Sequence, residues 1–212
     1  MGNKEAKIEE RAYLCDVTTR SDEKHGNVLE GHPIVIGQST DIGPWDEVID
    51  AGALDNTDLK DVRFLMNHDT NQIPLARSRN NNANSTMQLI VESDGLHVRA
   101  DLDTEGNPKA KELYSAVSRG DISGMSFMFT VNKDAWEGLD TEKPTRHIVE
   151  IGKVFEVSAV TFPAYEQTSI NARSMEIGQA SLDSAKEALE NAKKLDALRK
   201  EVLERSSEWK KN

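Results

Sequence analysis

The sequence has little of what stabilises secreted or membrane proteins. Cys15 is its single cysteine, so no internal disulfide bond can form and a reducing, cytosolic setting is expected. No apolar run approaches the roughly 18 residues that a membrane span requires, and the opening MGNKEAKIEE lacks the apolar centre of a signal peptide. Aromatic residues make up only 5% of the chain, which predicts a modest hydrophobic core.

The chain also lacks an excess of positive charge. Its formal net charge is -11 at pH 7, which argues against a nucleic-acid-binding protein, because such a protein needs a basic face to neutralise phosphates. The same charge argues against docking on an anionic membrane, so neither nucleic acid nor membrane is expected as a partner. The eight acidic and eight basic residues of 176–212 cancel, and the net charge therefore belongs to residues 1–175.

The first part of the chain reads as about seven strands and two helices. A hairpin is predicted where Asp94-Gly95 separates the apolar patterns of 87–91 and 96–102. Strands and helices hardly alternate, so the pattern predicts an α+β or closed-barrel fold rather than a doubly wound one.

The two helices are predicted from different signals. Residues 107–119 have Pro108 in the first turn and an apolar stripe at helical spacing. Residues 41–54 mix turn signals with apolar Trp45, Val48 and Ile49, which predicts a short helix. The polar residues 1–10 are expected to be frayed.

The last part of the chain has a different character. Residues 179–211 contain no glycine and no proline, and apolar residues recur there at steps of three and four, which predicts a long amphipathic helix. Two interpretations of this helix stay open: a solvated charged helix, or a tail that packs on scaffold or on a second copy of the chain and is removed by self-cleavage. The small and polar residues 172–180 are typical of a linker open to proteolysis. We therefore predict a domain over 1–173, followed by a linker and helix over 174–212.

The stretch RGDISGMSFMFT, residues 119–130, predicts a strand that carries an unusual serine. Side chains alternate along a strand, so Ser123 shares the face of Phe127 and Phe129. Ser126 falls on the opposite face beside Gly124, whose missing side chain leaves room for another group to approach. A serine in such a position is a candidate nucleophile if a base lies beside it, and Ser123 is its rival.

Two other polar residues stand out against their strands. His68 follows the apolar run of 62–66 and therefore lies at a strand end, where functional groups are commonly displayed. Glu156 lies within the strand pattern of 153–161 among apolar neighbours, where a carboxylate is unfavourable unless it is paired.

Four segments in order, FLMNHD, PLARS, RGDISGMSFMF and EVSAVTFPAYEQT, resemble the HK97-type prohead (capsid maturation) proteases of tailed bacteriophages. The resemblance covers roughly residues 8 to 173, with an acidic WDEVIDAGAL stretch before the four segments. The chain departs from the family pattern at Met128, where a small residue is common, and at Ala76, where glycine is common.

The resemblance implies a herpesvirus-assemblin-like β-barrel with surrounding helices. It implies a serine endopeptidase, without cofactor or metal, that cleaves scaffold and capsid-protein segments and often itself. Its partners would be the major capsid protein and the scaffold as substrates, together with further copies of the chain. Its location would be the host cytoplasm, inside the viral prohead.

The resemblance also implies roles for particular residues. Ser126 matches the family's nucleophile, His68 its catalytic histidine and Glu156 its third member. His147 and Glu150, on the preceding strand pattern, stay open as alternatives to Glu156. A transition-state oxyanion needs donors, for which the open candidates are Arg119, Gly120 and Arg77.

Two other classes of function compete with the protease. One is a non-catalytic assembly protein that binds scaffold, which the long charged helix favours. The other is a metal-dependent hydrolase that would use His68, Asp69 and His147, and the small number of ligands disfavours it.

Overall fold

The computed structural model describes residues 7–15, 17–22, 26–161 and 172–209. Their architecture is α+β, as predicted. In chain order the elements are β1 (Ile8–Leu14), β2 (Thr18–Asp22), β3 (Gly26–Val35), β4 (Ser39–Asp41), β5 (Asp46–Ile49), β6 (Arg63–Met66), β7 (Ala76–Arg77), a 3₁₀ turn (Arg79–Asn81), β8 (Met87–Glu92), β9 (Gly95–Leu102), α1 (Pro108–Ser118), β10 (Gly124–Glu137), β11 (Thr145–Val160) and α2 (Ala172–Trp209).

The strands form two sheets with a shared core between them. The larger sheet has the order β1-β10-β11-β5-β4, and β6 and β7 extend it beside the second half of β11. The smaller sheet has the order β2-β3-β9-β8. One cluster of buried apolar residues joins both sheets and α1, and its members include Leu29, Val98, Leu113, Phe127 and Val157.

The strand β11 organises the larger sheet. It pairs with β10 in antiparallel fashion along its length, while its other edge pairs in parallel with β5 near Thr145 and with β6 near Glu156. The ranges 146–151 and 153–161, which the sequence pattern predicts as two strands, form one strand of 16 residues that ends at Val160. The parallel pairing places the end of β6 next to the last residues of β11, and His68 follows directly after β6.

The helix α1 forms where its local signals predict it. The side chain of Asn107 caps it by accepting a hydrogen bond from the Lys109 N–H, and Pro108 occupies the first turn. Its stripe of Ala110, Leu113 and Val117 is buried. The predicted hairpin also forms, as β8 and β9 pair in antiparallel register across Asp94 and Gly95.

The structure corrects several predictions about the fold. The described strands number eleven rather than about seven, and they form two open sheets rather than a closed barrel. Residues 41–54 contain strand β5 instead of a short helix, because pairing with β11 and β4 stabilises the extended form. Within the range predicted to be frayed, residues 8–10 belong to β1, which pairs with β10.

The helix α2 is long, and the residues of it that are described as buried, Ser174, Gly178 and Leu182, lie near its beginning. Trp45 and Leu182 are buried together, with Met175 against them, and Gly178 lies so close to the Trp45 ring that a Cβ there would come within 2.3 Å of it. The predicted linker over 172–180 is therefore a packed part of this helix. Further along, Leu195 and Leu203 are exposed. No helix among the described residues is long and apolar enough to cross a membrane.

Candidate functional site

His68 lies in a strained turn directly after β6. Asn67 and His68 have φ angles of 51° and 56°, in the left-handed region that is unfavourable for residues other than glycine. The surrounding structure holds this turn, because the Asn67 N–H donates to the carbonyl of Ala159 and its side chain bonds Thr161. Such strain costs about 1–3 kcal/mol per residue and is concentrated at functional sites.

The carboxylate of Glu156 contacts the imidazole of His68. The distance from His68 Nδ1 to Glu156 Oε1 is 2.5 Å, and Glu156 is 3% exposed. The second carboxylate oxygen accepts a hydrogen bond of 2.6 Å from the Ser158 hydroxyl, which itself accepts one from the His68 backbone N–H at 3.1 Å. Ser158 thus joins the backbone of the histidine to the carboxylate that orients its ring.

The environment of His68 favours its charged form. Burial alone would lower the pKa of the imidazole, but the hydrogen bond and charge of Glu156, together with the charge of Glu10, outweigh burial and raise the pKa above its usual value of 6.5. A histidine so held is neutral, and able to take a proton, only above that raised pKa.

Ser126 lies in the middle of the sheet. On β10 it is paired with Ala12 of β1 and with Ser158 of β11, so it shares their face of the sheet. Its side chain is 0% exposed, and its hydroxyl donates a hydrogen bond of 2.7 Å to the carbonyl of Arg11. The described arrangement therefore brings Ser126 beside Ser158 without a hydrogen bond to His68.

The register nevertheless brings the imidazole next to the serine. Met128 of β10 is paired with Glu156 on one side and with Glu10 on the other. His68 contacts both carboxylates, through Nδ1 to Glu156 and through Nε2 to Glu10 Oε1 at 3.1 Å. The imidazole therefore lies between residues of β1 and β11 that are both paired with Met128 of β10. Ser126 is the next residue of β10 on the same face of the sheet.

His147 and Glu150 lie elsewhere. His147 Nδ1 is 2.8 Å from Asp50, and Glu150 accepts a hydrogen bond from Asn132. His147 precedes Glu156 by nine residues on β11, which corresponds to about 30 Å of extended strand. The structure thus brings Glu156, and neither of these two residues, to His68. It also leaves His147 too far away to form a metal site with His68.

The predicted oxyanion donors are engaged in other contacts. The Arg119 N–H bonds the carbonyl of Ser115, and the Gly120 N–H bonds that of Val117, both at the end of α1. These two backbone groups are therefore not free to bind an oxyanion in this arrangement. Arg77 is exposed on β7 and its guanidinium pairs with Asp61 at 2.5 Å.

One group of described residues has the spacing of metal ligands, although no metal was predicted. His32, Asp94 and His97 offer ligand atoms within 4.8 Å of one another on the smaller sheet. Hydrogen bonds account for these contacts, because His97 Nε2 bonds Asp94 at 2.8 Å and its Nδ1 bonds His32 Nε2. The group lies on the smaller sheet, whereas His68 follows β6 of the larger sheet.

Two features of the site went unpredicted. Ser158 lies two residues from Glu156 on the same strand face. This alternation was the only sequence signal that Ser158 belongs to the site. Glu10 had no signal, since it belongs to a segment predicted to be frayed. A buried ion-pair network also emerges next to Glu10, on the other face of β1, where Arg11 joins Glu9 and Glu47 at 2.8 and 2.6 Å.

This network fixes β1 to the rest of the larger sheet. Arg146 of β11 bonds Glu9 at 2.8 Å and Glu47 at 3.2 Å, and it reaches Asp134 of β10 at 2.8 Å. Burial would raise the pKa of Glu47, but the charges and hydrogen bonds of Arg11 and Arg146 lower it. Breaking such a buried pair leaves an uncompensated charge, so β1 is held firmly.

Residues 15–181 match the family model described as Caudovirus prohead serine protease. The chain is also 29% identical to the prohead protease of Enterobacteria phage HK97 over 160 residues, which make up 74% of this chain. The match spans 64% of that relative, which is slightly less than two thirds of its length. No solved structure matches the chain. His68, Ser126 and Glu156 all lie within the range of the family match, whereas Glu10 precedes it.

Proposed function

Because the chain belongs to the family of caudovirus prohead serine proteases, we propose that it is a serine endopeptidase of bacteriophage head maturation. In this proposal Ser126 is the nucleophile, His68 is the general base and Glu156 orients the imidazole. The observation that carries the proposal is the 2.5 Å contact of His68 Nδ1 with Glu156, beside the strand that bears Ser126.

The reaction follows from what each group can hold. A serine hydroxyl is a weak nucleophile at neutral pH and needs an adjacent base. With Nδ1 bound to Glu156, His68 uses Nε2 to take the Ser126 proton as Oγ attacks the scissile carbonyl. His68 then returns that proton to the leaving amine, and a water molecule hydrolyses the acyl-enzyme by the same route. Glu156 stabilises the imidazolium that forms in each step.

The serine must turn before it can react. Its hydroxyl bonds the carbonyl of Arg11, and rotation about the Cα–Cβ bond exchanges this hydrogen bond for one to His68. A neutral hydrogen bond of this kind contributes about 1 kcal/mol, so the exchange is a small step. The described arrangement is therefore a resting state of the protease.

The proposed substrates are segments of the scaffold and of the major capsid protein inside the prohead, together with the chain itself. The second half of α2 is the proposed site of self-cleavage, since residues 190–204 are exposed and therefore more open to local unwinding than the buried turn at Ser174 and Gly178. Its exposed apolar residues, Leu195, Leu198, Val202 and Leu203, are proposed to bind a second copy of the chain or the scaffold.

A second candidate function is a non-catalytic assembly module that binds scaffold. The observation that favours it is the fully buried Ser126, whose hydroxyl bonds Arg11 rather than His68. In that case the exposed part of α2 would bind the scaffold, and the His68–Glu156 pair would serve only to stabilise the turn after β6.

The test follows the intact mass of the purified chain over time at high concentration, with scaffold added. The wild type is expected to lose a C-terminal piece, and Ser126→Ala is expected to stay whole. Ser123→Ala is the matched control, since this serine is exposed and lies just before β10. If the wild type stays whole and resists a serine-directed reagent, the assembly module becomes the better account. Loss of cleavage on addition of a chelator would instead favour a metal-dependent hydrolase.

A further inference from the structure

The nitrogen of His68 that the proposed reaction needs is already occupied. Nδ1 contacts Glu156, which leaves Nε2 as the acceptor for the Ser126 proton. In the structure Nε2 is 3.1 Å from a carboxylate oxygen of Glu10. This contact is an ion pair, which is attractive only while the imidazole is protonated and Nε2 carries a proton. A His68 that carries a proton on Nε2 cannot at the same time take a proton from serine.

The same strand also holds the serine. Ser126 donates its hydroxyl proton to the carbonyl of Arg11, the residue after Glu10 on β1. One edge strand thus binds both the proton donor and the proton acceptor of the proposed reaction, and it keeps them apart. Neither contact is needed for the pairing of β1 with β10, which uses backbone groups alone.

The position of Glu10 on β1 is fixed from two directions. Its backbone N–H donates a hydrogen bond of 2.9 Å to the hydroxyl of Ser174, which is buried in the first turns of α2. Its neighbours Glu9 and Arg11 belong to the buried ion-pair network. The side chain of Glu10 is therefore presented to His68 by a strand with little freedom to shift.

We propose that Glu10 is a positioning residue of this site, whose carboxylate holds His68 Nε2 in a resting arrangement and must leave before Ser126 can transfer its proton. The proposal rests on the function proposed above. On activation the Nε2 proton passes to solvent, Glu10 swings away and the hydroxyl of Ser126 turns from Arg11 to the free lone pair of Nε2. On attack the Ser126 O–H bond breaks and its proton moves to Nε2, while Oγ bonds the scissile carbonyl carbon and the π electron pair of that carbonyl moves onto its oxygen.

The charges around His68 predict how the contact between Glu10 and His68 responds to pH. Glu156 from β11 and Glu10 from β1 contact the ring, while Arg63 of β6 is paired with Glu156 in register but bonds Asp61 at the surface. The anion of Glu10 helps to raise the pKa of His68. Its removal is therefore expected to lower that pKa, so that a larger fraction of His68 is neutral at a given pH.

The test compares the wild type with Glu10→Gln, and uses Glu112→Gln on the exposed face of α1 as the matched control. The full-length chain is treated with a fluorophosphonate reagent, which phosphonylates an activated serine, across a range of pH. Glu10→Gln is expected to react about tenfold faster than the wild type near neutral pH, because the resting state loses its ion pair with His68. In Glu10→Gln the rise of the labelling rate with pH is expected to begin at a lower pH than in the wild type.

A second readout does not depend on protease activity. The pKa of His68, followed by NMR of its ring protons, is expected to fall in Glu10→Gln and to stay unchanged in Glu112→Gln. An unchanged pKa in Glu10→Gln overturns the contact itself. If the wild type reacts with the reagent and Glu10→Gln reacts no faster, Glu10 does not hold His68 in a resting arrangement. If no variant reacts at any pH, it is the proposed protease function that fails.

Discussion

Replacing Ser158 by alanine separates the residue that supports the site from the residue proposed to react. Ser158 is 0% exposed, and its hydroxyl donates to Glu156 and accepts from the His68 N–H. The bond to the carboxylate is worth about 1.5–3 kcal/mol and the bond from the backbone about 0.5–1.5 kcal/mol. Ser158→Ala is thus expected to lower the free energy of unfolding by about 2–4 kcal/mol.

The comparison with Ser126→Ala sharpens this prediction. Ser126 makes one neutral hydrogen bond, to the carbonyl of Arg11, so its removal is expected to cost only about 1 kcal/mol. The exposed Ser123→Ala is expected to change stability by less than about 0.5 kcal/mol. Urea unfolding followed by tryptophan fluorescence measures all three. In thermal unfolding, Ser158→Ala should lower Tm by about 5–15 °C for a chain of this size.

Activity should rank these variants in a different order. Ser126→Ala is expected to abolish labelling by the fluorophosphonate reagent, whereas Ser158→Ala should retain it at a rate reduced by up to about 10²-fold, because a loosened Glu156 positions the imidazole less well. A Ser158→Ala variant as stable as Ser126→Ala would refute the bonding described for Ser158. Loss of labelling in Ser158→Ala alone would mean that Ser158, not Ser126, is the reactive serine.

Three further predictions concern stability. Arg146→Met leaves the buried carboxylates of Glu9 and Glu47 to share the guanidinium of Arg11 and is expected to lower the free energy of unfolding by about 3–5 kcal/mol, and a cost below about 1 kcal/mol would contradict a buried network. Burial lowers the pKa of His68, but its carboxylate partners raise it by more, so the folded protein binds the proton more tightly than the unfolded chain. The stability advantage of the wild type over His68→Asn should therefore be largest below pH 6.5. That advantage should fall as the pH rises through the raised pKa, and an advantage that grows with pH would contradict the sign. Gly178→Ala adds a Cβ against the Trp45 ring and is expected to cost about 1–3 kcal/mol, seen as earlier proteolysis of α2, while unchanged proteolysis would contradict the packing.

The parts of the fold that local signals specify were predicted well. The helix α1 has its cap, its proline and its apolar stripe within a dozen residues, and the hairpin of β8 and β9 has its Asp94-Gly95 turn. The short helix predicted near Trp45 was wrong for the opposite reason. Its residues form β5 because they pair with β11, about a hundred residues away, and such pairing leaves no local pattern.

The candidate site divides in the same way. The sequence by itself determined that His68 ends a strand, that Ser126 lies on a strand face beside a glycine and that Glu156 needs a partner. Only the tertiary structure decided that Glu156 is that partner, since the contact joins residues 88 positions apart through the parallel pairing of β6 with β11.

The contacts of Ser158 and Glu10 were also decided by the tertiary structure alone. A serine in a strand and a glutamate near the end of a polar segment carry no signal until the register of β1, β10 and β11 brings them to the imidazole. The physical reason is that helix caps and tight turns are stabilised within a few residues, whereas strand register is set by the core that the whole sheet buries.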